Sequence, residues 1–213
     1  MNYAIIGVGN IGSAIARAFS RQGIEVAVAS RRSLEELAPL ATQLGPTVVP
    51  ARIEDAVKAD VVILAVPFGT HRDVARAAES WQGKLVIDAM NAFGVPSEDL
   101  GGLPSTAVVA AALPGATVVK AFNHLPAATL VTDPQVHGGR RVVFVSSDDD
   151  AASTTVASLV DRLGFAPVEL GRLNEGGLLV QARGRTWGRL IFQDLVKFAD
   201  AAPGIGAPAS APR

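Results

Sequence analysis

The sequence predicts a doubly wound α/β fold around a parallel sheet, on three observations. Short apolar or β-branched runs alternate with helix-period segments from Tyr3 to Leu170. A glycine-rich turn, Gly7 to Gly12, joins the first strand to the first helix. Hydrophobic residues make up 49% of the chain and charged ones 18%, the balance of a sheet buried on both faces rather than of a disordered chain.

The elements follow in order. Tyr3 to Ile6 is a short strand, and Ile11 to Gln22 a helix with Ile11, Ala14, Ile15, Ala18 and Phe19 on one face. Gly23 stops that helix and Glu25 to Ala29 makes the second strand, completing a βαβ unit. Leu34 to Leu44 reads as helix, Thr47 to Val49 as a brief strand and Ile53 to Lys58 as a short helix. Val61 to Val66 is the clearest buried strand. Beyond Pro67, Thr70 to Trp81 reads as helix, then Leu85 to Asp88, Val118 to Phe122 and Arg141 to Val145 as strands. Ala151 to Leu163 is a helix whose positive end suits the Asp148 to Asp150 cluster, and Pro167 to Leu170 an edge strand. Gly177 to Ala199 reads as largely helical, interrupted by Gly184 and Gly188. The expected organisation is a nucleotide-binding domain over 1–172, a C-terminal helical extension over 173–202 and a disordered Ala/Pro/Gly tail over 203–213.

Composition excludes several chemistries. With no cysteine there is no disulfide, thiolate nucleophile or Cys-ligated metal, so redox work must fall to a bound cofactor. No His/Asp/Glu grouping has metal-ligand spacing. A net charge of −1 without a dense basic run gives no expectation of a nucleic-acid or membrane partner. The first residues lack a basic n-region and no stretch is long enough to span a bilayer, so the expected location is cytoplasmic.

Gly7-Val8-Gly9-Asn10-Ile11-Gly12 follows a strand and opens a helix, the context in which GxGxxG binds a dinucleotide in a Rossmann-type fold. Gly7 serves the tight turn, Gly9 the approach of pyrophosphate and Gly12 helix packing, with the anion at the positive helix end. Where an NAD site places an acidic residue after the second strand, this chain has Ser30-Arg31-Arg32-Ser33, which suits a 2′-phosphate. The expected cofactor is therefore NADP(H).

Val66, Pro67 and Phe68 end the strand over which such folds place their ligand crevice. Asn91 and Asn123 end two further strands and are candidates to bond the carboxamide or backbone. His71, Lys120 and His124 are the weak candidates for proton transfer. Each also has a structural reading, His71 as a packing residue, Lys120 as a structural lysine and His124 as a loop residue. His137 reads as surface loop.

Taken together, Gly7 to Gly12, Ser30-Arg31-Arg32, Leu64-Ala65-Val66-Pro67, Val86 to Asn91, Leu113-Pro114-Gly115-Ala116, Val118 to Asn123 and Arg162-Leu163-Gly164-Phe165 resemble the F420-dependent NADP oxidoreductase family. Its members are also called NADPH-dependent F420 reductases, and its relatives include the cytosolic domain of the STEAP metalloreductases. The likeness runs over about residues 1–172, and the Lys-Ala-Phe-Asn-His turn resembles bacterial members. The resemblance implies hydride transfer between NADP(H) and a deazaflavin (F420) or flavin-like ring, with no obligatory side-chain acid or base. It implies NADP contacts at Gly9 to Ile11, Ser30 to Arg32, Val66, Pro67 and Asn91, and a deazaflavin over the nicotinamide near Asn123 to Leu125 and the C-terminal segment.

Two other functions are compatible with the residues. One is NADPH-dependent reduction of a small carbonyl, imine or quinone, which needs a placed proton donor from His124 or Lys120. The other is a non-catalytic NADP sensor. The stretch Gly184 to Arg189, with Trp187, reads as a subunit contact in preference to a mobile lid, and a homodimer is the expected assembly.

Overall fold

Successive residues of each central strand face two different helical layers. In the first strand, β1 (Tyr3–Ile6), Tyr3 and Ile5 enter one core while Ala4 and Ile6 enter the other. The computed structural model describes residues 1–184 and 186–199. The expected tail over 203–213, and the end of the expected extension from 200 to 202, lie outside the described residues, as does Arg185.

The elements run β1, α1 (Asn10–Arg21), β2 (Val26–Ala29), α2 (Leu34–Leu44), β3 (Val48–Ala51), α3 (Ile53–Ala56), β4 (Val61–Leu64), α4 (His71–Ala75), β5 (Leu85–Asp88) and β6 (Ala92–Phe93). Then come α5 (Ser105–Ala111), β7 (Thr117–Ala121), α6 (Ala127–Leu130), β8 (Gln135–Val136), β9 (Gly139–Ser147), α7 (Asp150–Arg162) and β10 (Ala166–Glu169). The main sheet has the order β10-β9-β7-β5-β4-β1-β2-β3. Helices α1, α2, α6 and α7 cover one face through Phe19, Leu37, Leu130 and Val156, and α3, α4 and α5 the other through Ala56, Val74 and Val109. The chain winds outward from β1 to β3, then returns to β4 on the other side of β1. This switch point opens a crevice at the carboxyl ends of the strands.

Helix starts match the caps in the sequence. Ser33 and Glu36 form a reciprocal capping box on α2, and Asp149 accepts from the Ala152 amide at 2.8 Å to cap α7.

The sheet is parallel from β3 through β7, but β9 runs antiparallel to β7, and β10 is parallel to β9. A single helical turn, α6, and the short β8 lie between β7 and β9. Both edge strands contain a proline, Pro50 in β3 and Pro167 in β10.

The helix expected over Thr70 to Trp81 is confined to α4. The Trp81 indole N–H donates to the Ala75 carbonyl at 2.9 Å, satisfying a helix-end acceptor where the chain turns away.

The helical extension expected over 173–202 is corrected. Its described part is a 3₁₀ turn, Gly176–Val180, followed by short strands β11 (Ala182–Gly184), β12 (Thr186–Trp187) and β13 (Val196–Lys197). A Cβ on Gly176 would lie 2.0 Å from the Leu170 carbonyl oxygen and one on Gly188 2.4 Å from that of Leu179. These glycines are used for close backbone approach that a continuous helix does not offer. Strands β12, β11 and β6 form a small separate sheet, and β13 pairs with the start of β9.

Candidate functional site

The turn after β1 is built around two glycines that admit no side chain. Gly7 adopts φ +105°, and a Cβ there would sit 2.4 Å from the Ala65 carbonyl oxygen. A Cβ on Gly12 would sit 1.8 Å from the Gly7 carbonyl oxygen, so α1 packs directly on the turn. Gly9 differs: nothing lies within 4 Å of its added Cβ, so the backbone there faces open space. Gly9 also starts α1, which has no side-chain cap and no acidic residue in its first turn, in contrast to α2 and α7. The leading amides of Asn10 and Ile11 are thus left as an anion cradle at a positive helix end.

A cleft of about 360 Å³ runs from this turn, bounded by Gly7, Gly9, Ser30, Arg31, Val66 and Pro67. A larger cavity of about 700 Å³, lined by Asn2, Glu25 and Arg162 among others, opens near the amino ends of the strands, away from the glycine turn. The smaller one sits at the switch point, where the fold places ligands. Ser30 and the exposed Arg31 line it, whereas Arg32, also exposed, does not, and the Arg32 amide donates to Ser30 Oγ at 3.2 Å. Ser33 is committed to capping α2. The residues therefore fit NADP: open backbone and free amides for pyrophosphate, then Ser30 and Arg31 for the 2′-phosphate.

Phe68 is buried, its ring 4.9 Å from that of His71, whose Nδ1 meets the Phe68 carbonyl. Neither residue lines the cleft. Asn91 and Asn123 come together but bond protein: Asn91 Nδ2 donates to the Asn123 carbonyl at 2.8 Å, and Asn123 Nδ2 donates to Asn91 Oδ1 at 3.1 Å and to the Val180 carbonyl. They fasten the C-terminal segment over the carboxyl ends of β5 and β7.

Lys120 is 1% exposed and pairs with Asp88 at 3.1 Å, while Thr106 Oγ1 donates to the same carboxylate at 2.6 Å and Lys120 also donates to the Met90 carbonyl. Two of the three donors of the ammonium are thus taken up inside the protein. His124 is completely buried, 4.6 Å from the Phe144 ring, with no hydrogen-bond partner for either ring nitrogen among the described residues. Burial drives its pKa down to about 4, and weak help to the cation from the Val142 backbone and the Asp194 charge offsets only part of this. Sequence reasoning missed Ile53, Glu54, Thr70, Asp73, Val74 and Ala77, which close the far end of the cleft. Their only signal was position, in the segments that follow the carboxyl ends of β3 and β4.

The second feature of this edge is aromatic. Phe93, two residues after Asn91, is 52% exposed and 5.2 Å from the Trp187 ring, which lies 5.1 Å from Phe192.

Fold and site together define a Rossmann-like α/β chain whose cleft fits NADP. Residues 2–92 match the family model described as NADP oxidoreductase, coenzyme F420-dependent. The chain is 42% identical to the hypothetical protein SMa0349 from Sinorhizobium meliloti, with a TM-score of 0.84 covering 92% of this chain and 96% of that one. A proposed F420-dependent NADP reductase from Arthrobacter sp. FB24 is 27% identical, with a TM-score of 0.65 over 82% of this chain and 86% of that one. Metalloreductase STEAP3 of Rattus norvegicus is 31% identical over 171 residues, 79% of this chain and 33% of that protein. The chain thus spans about a third of the length of the curated relatives it matches. Over residues 2–92 the chain is similar to the F420-dependent NADP oxidoreductase family.

Among the described residues, no helix is long and apolar enough to cross a membrane, and no group of His, Cys, Asp and Glu is arranged to hold a metal.

Proposed function

We propose that the chain transfers hydride between NADPH and a flat acceptor ring of the deazaflavin (F420) or flavin class. NADPH supplies the hydride, and the protein's part is to hold the two rings face to face. The observation that carries this reading is a contrast at one edge of the sheet. The groups suited to proton transfer are sunk, with Lys120 at 1%, His124 at 0% and His71 at 2% exposure, whereas Phe93, Trp187 and Phe192 form an exposed aromatic group. A small carbonyl or imine gains a proton as well as a hydride, so its reductase needs a placed donor. A ring that carries its own charge delocalisation needs chiefly a stacking surface and orientation. Asn91 and Asn123 fix the backbone from which that surface is built.

The test is NADPH oxidation followed by nicotinamide absorbance with F420, FMN, FAD and a simple quinone in turn, and with a cyclic imine in parallel. Turnover with F420 or a flavin, with a raised acceptor KM and unchanged NADPH affinity in Trp187→Ala, supports the proposal. Turnover with the imine alone overturns it, and tight NADPH binding without any turnover favours a sensor. Sedimentation of the same variant tests the competing assignment of this aromatic face: a fall in mass assigns Trp187 to a homodimer contact.

A further inference from the structure

We propose that Glu54 reads the base of the bound nucleotide by accepting a hydrogen bond from the exocyclic amino group of adenine, an inference that rests on NADP occupying the cleft. The cleft changes character along its length. Past Ser30 and Arg31 its walls become apolar, with Ile53 from the start of α3 on one side and Val74 and Ala77 on the other, the lining that suits a flat base. Three polar side chains border this end. Thr70 Oγ1 donates to the Pro67 carbonyl at 2.8 Å, and Asp73 is paired with Arg76. Glu54 also lines the cleft but makes no ion pair or side-chain hydrogen bond among the described residues.

An ionised carboxylate only accepts hydrogen bonds. Adenine presents an amino donor at position 6, whereas hypoxanthine presents a carbonyl acceptor there, which a carboxylate opposes. Discrimination then comes from attraction to one base and repulsion of the other. The backbone at Glu54 is placed by its neighbours: Ile53 packs against the core beside it, and Arg52 begins the one-turn helix that carries both.

The experiment measures the dissociation constants of NADPH and of its hypoxanthine analogue for the wild-type chain and for Glu54→Gln. Both nucleotides carry the same phosphates and sugars, so their ratio cancels any general effect of removing a charge near Arg31. The wild type should prefer NADPH by about tenfold, as expected for a charge-assisted hydrogen bond. Glu54→Gln, whose amide can donate to the carbonyl, should bring the ratio close to one. A ratio near one in the wild type, or an undiminished preference in Glu54→Gln, overturns the proposal while leaving the cofactor reading intact. Failure of the wild type to bind either nucleotide overturns the cofactor reading, and this inference with it.

Discussion

Asn91 and Asn123, in the loops that follow β5 and β7, are joined by two hydrogen bonds, one from Asn91 Nδ2 to the Asn123 backbone and one from Asn123 Nδ2 back to Asn91 Oδ1. Because Asn123 also holds the Val180 carbonyl, the pair is the clasp between the nucleotide-binding sheet and the segment bearing Trp187. Asn123→Ala should lower stability by about 1–3 kcal/mol, the cost of orphaning buried polar groups. The segment after Val180 should also become easier to cleave in limited proteolysis. Equal protection of that segment in variant and wild type would show that the clasp does not hold it.

Lys120 is expected to act on stability. Lys120→Met leaves Asp88 buried without its counter-ion and should cost about 3–5 kcal/mol, measured by chemical unfolding. Adding Asp88→Asn should recover a large part of that loss. A stable Lys120→Met protein that binds NADPH normally but has lost turnover would instead assign the lysine to catalysis.

Arg31 and Arg32 are unequal. Only Arg31 lines the cleft, so Arg31→Ala should weaken NADPH by about tenfold or more relative to NADH, and Arg32→Ala should change the ratio less. Equal losses for both nucleotides in Arg31→Ala would sink the assignment of this residue to the 2′-phosphate.

Buried His124 predicts a loss of stability in mild acid. Its pKa falls from an ordinary 6.5 to about 4, so below pH 6.5 the unfolded chain binds a proton that the folded chain refuses. Stability from this group is therefore full above about pH 6.5 and declines as pH drops toward 4, by about 3 kcal/mol in all. Unfolding free energies across that window should show the slope, and His124→Gln should flatten it. An unchanged slope in the variant would place the titration elsewhere.

The sequence made the nucleotide-binding half legible because its signals are local. Val61 to Leu64 can only be a buried strand, and Gly7 and Gly12 advertise contacts that no other residue could make. What remained hidden depends on partners distant in the chain. Nothing in Arg141 to Val145 tells its direction, which is antiparallel to β7. The stretch from Gly177 to Ala199 reads as largely helical, yet Gly176 and Gly188 are fitted against the Leu170 and Leu179 carbonyls. At the site, residue type left open whether Asn91 and Asn123 bond a carboxamide or backbone and whether His124 is a proton donor or a loop residue; the two asparagines bond each other and backbone carbonyls, and His124 is fully buried. Glu54 carried no motif, and only the shape of the cleft singles it out.

The prolines in the outermost strands bear on how copies of this molecule can meet. Pro50 and Pro167 each remove a main-chain donor from a flank of the sheet, which discourages another chain from adding a strand there. The fold is thereby protected at both margins against growing sideways into a shared, continuous sheet. Contacts between copies are steered from these two margins of the main sheet toward side chains on its faces or at the aromatic rim.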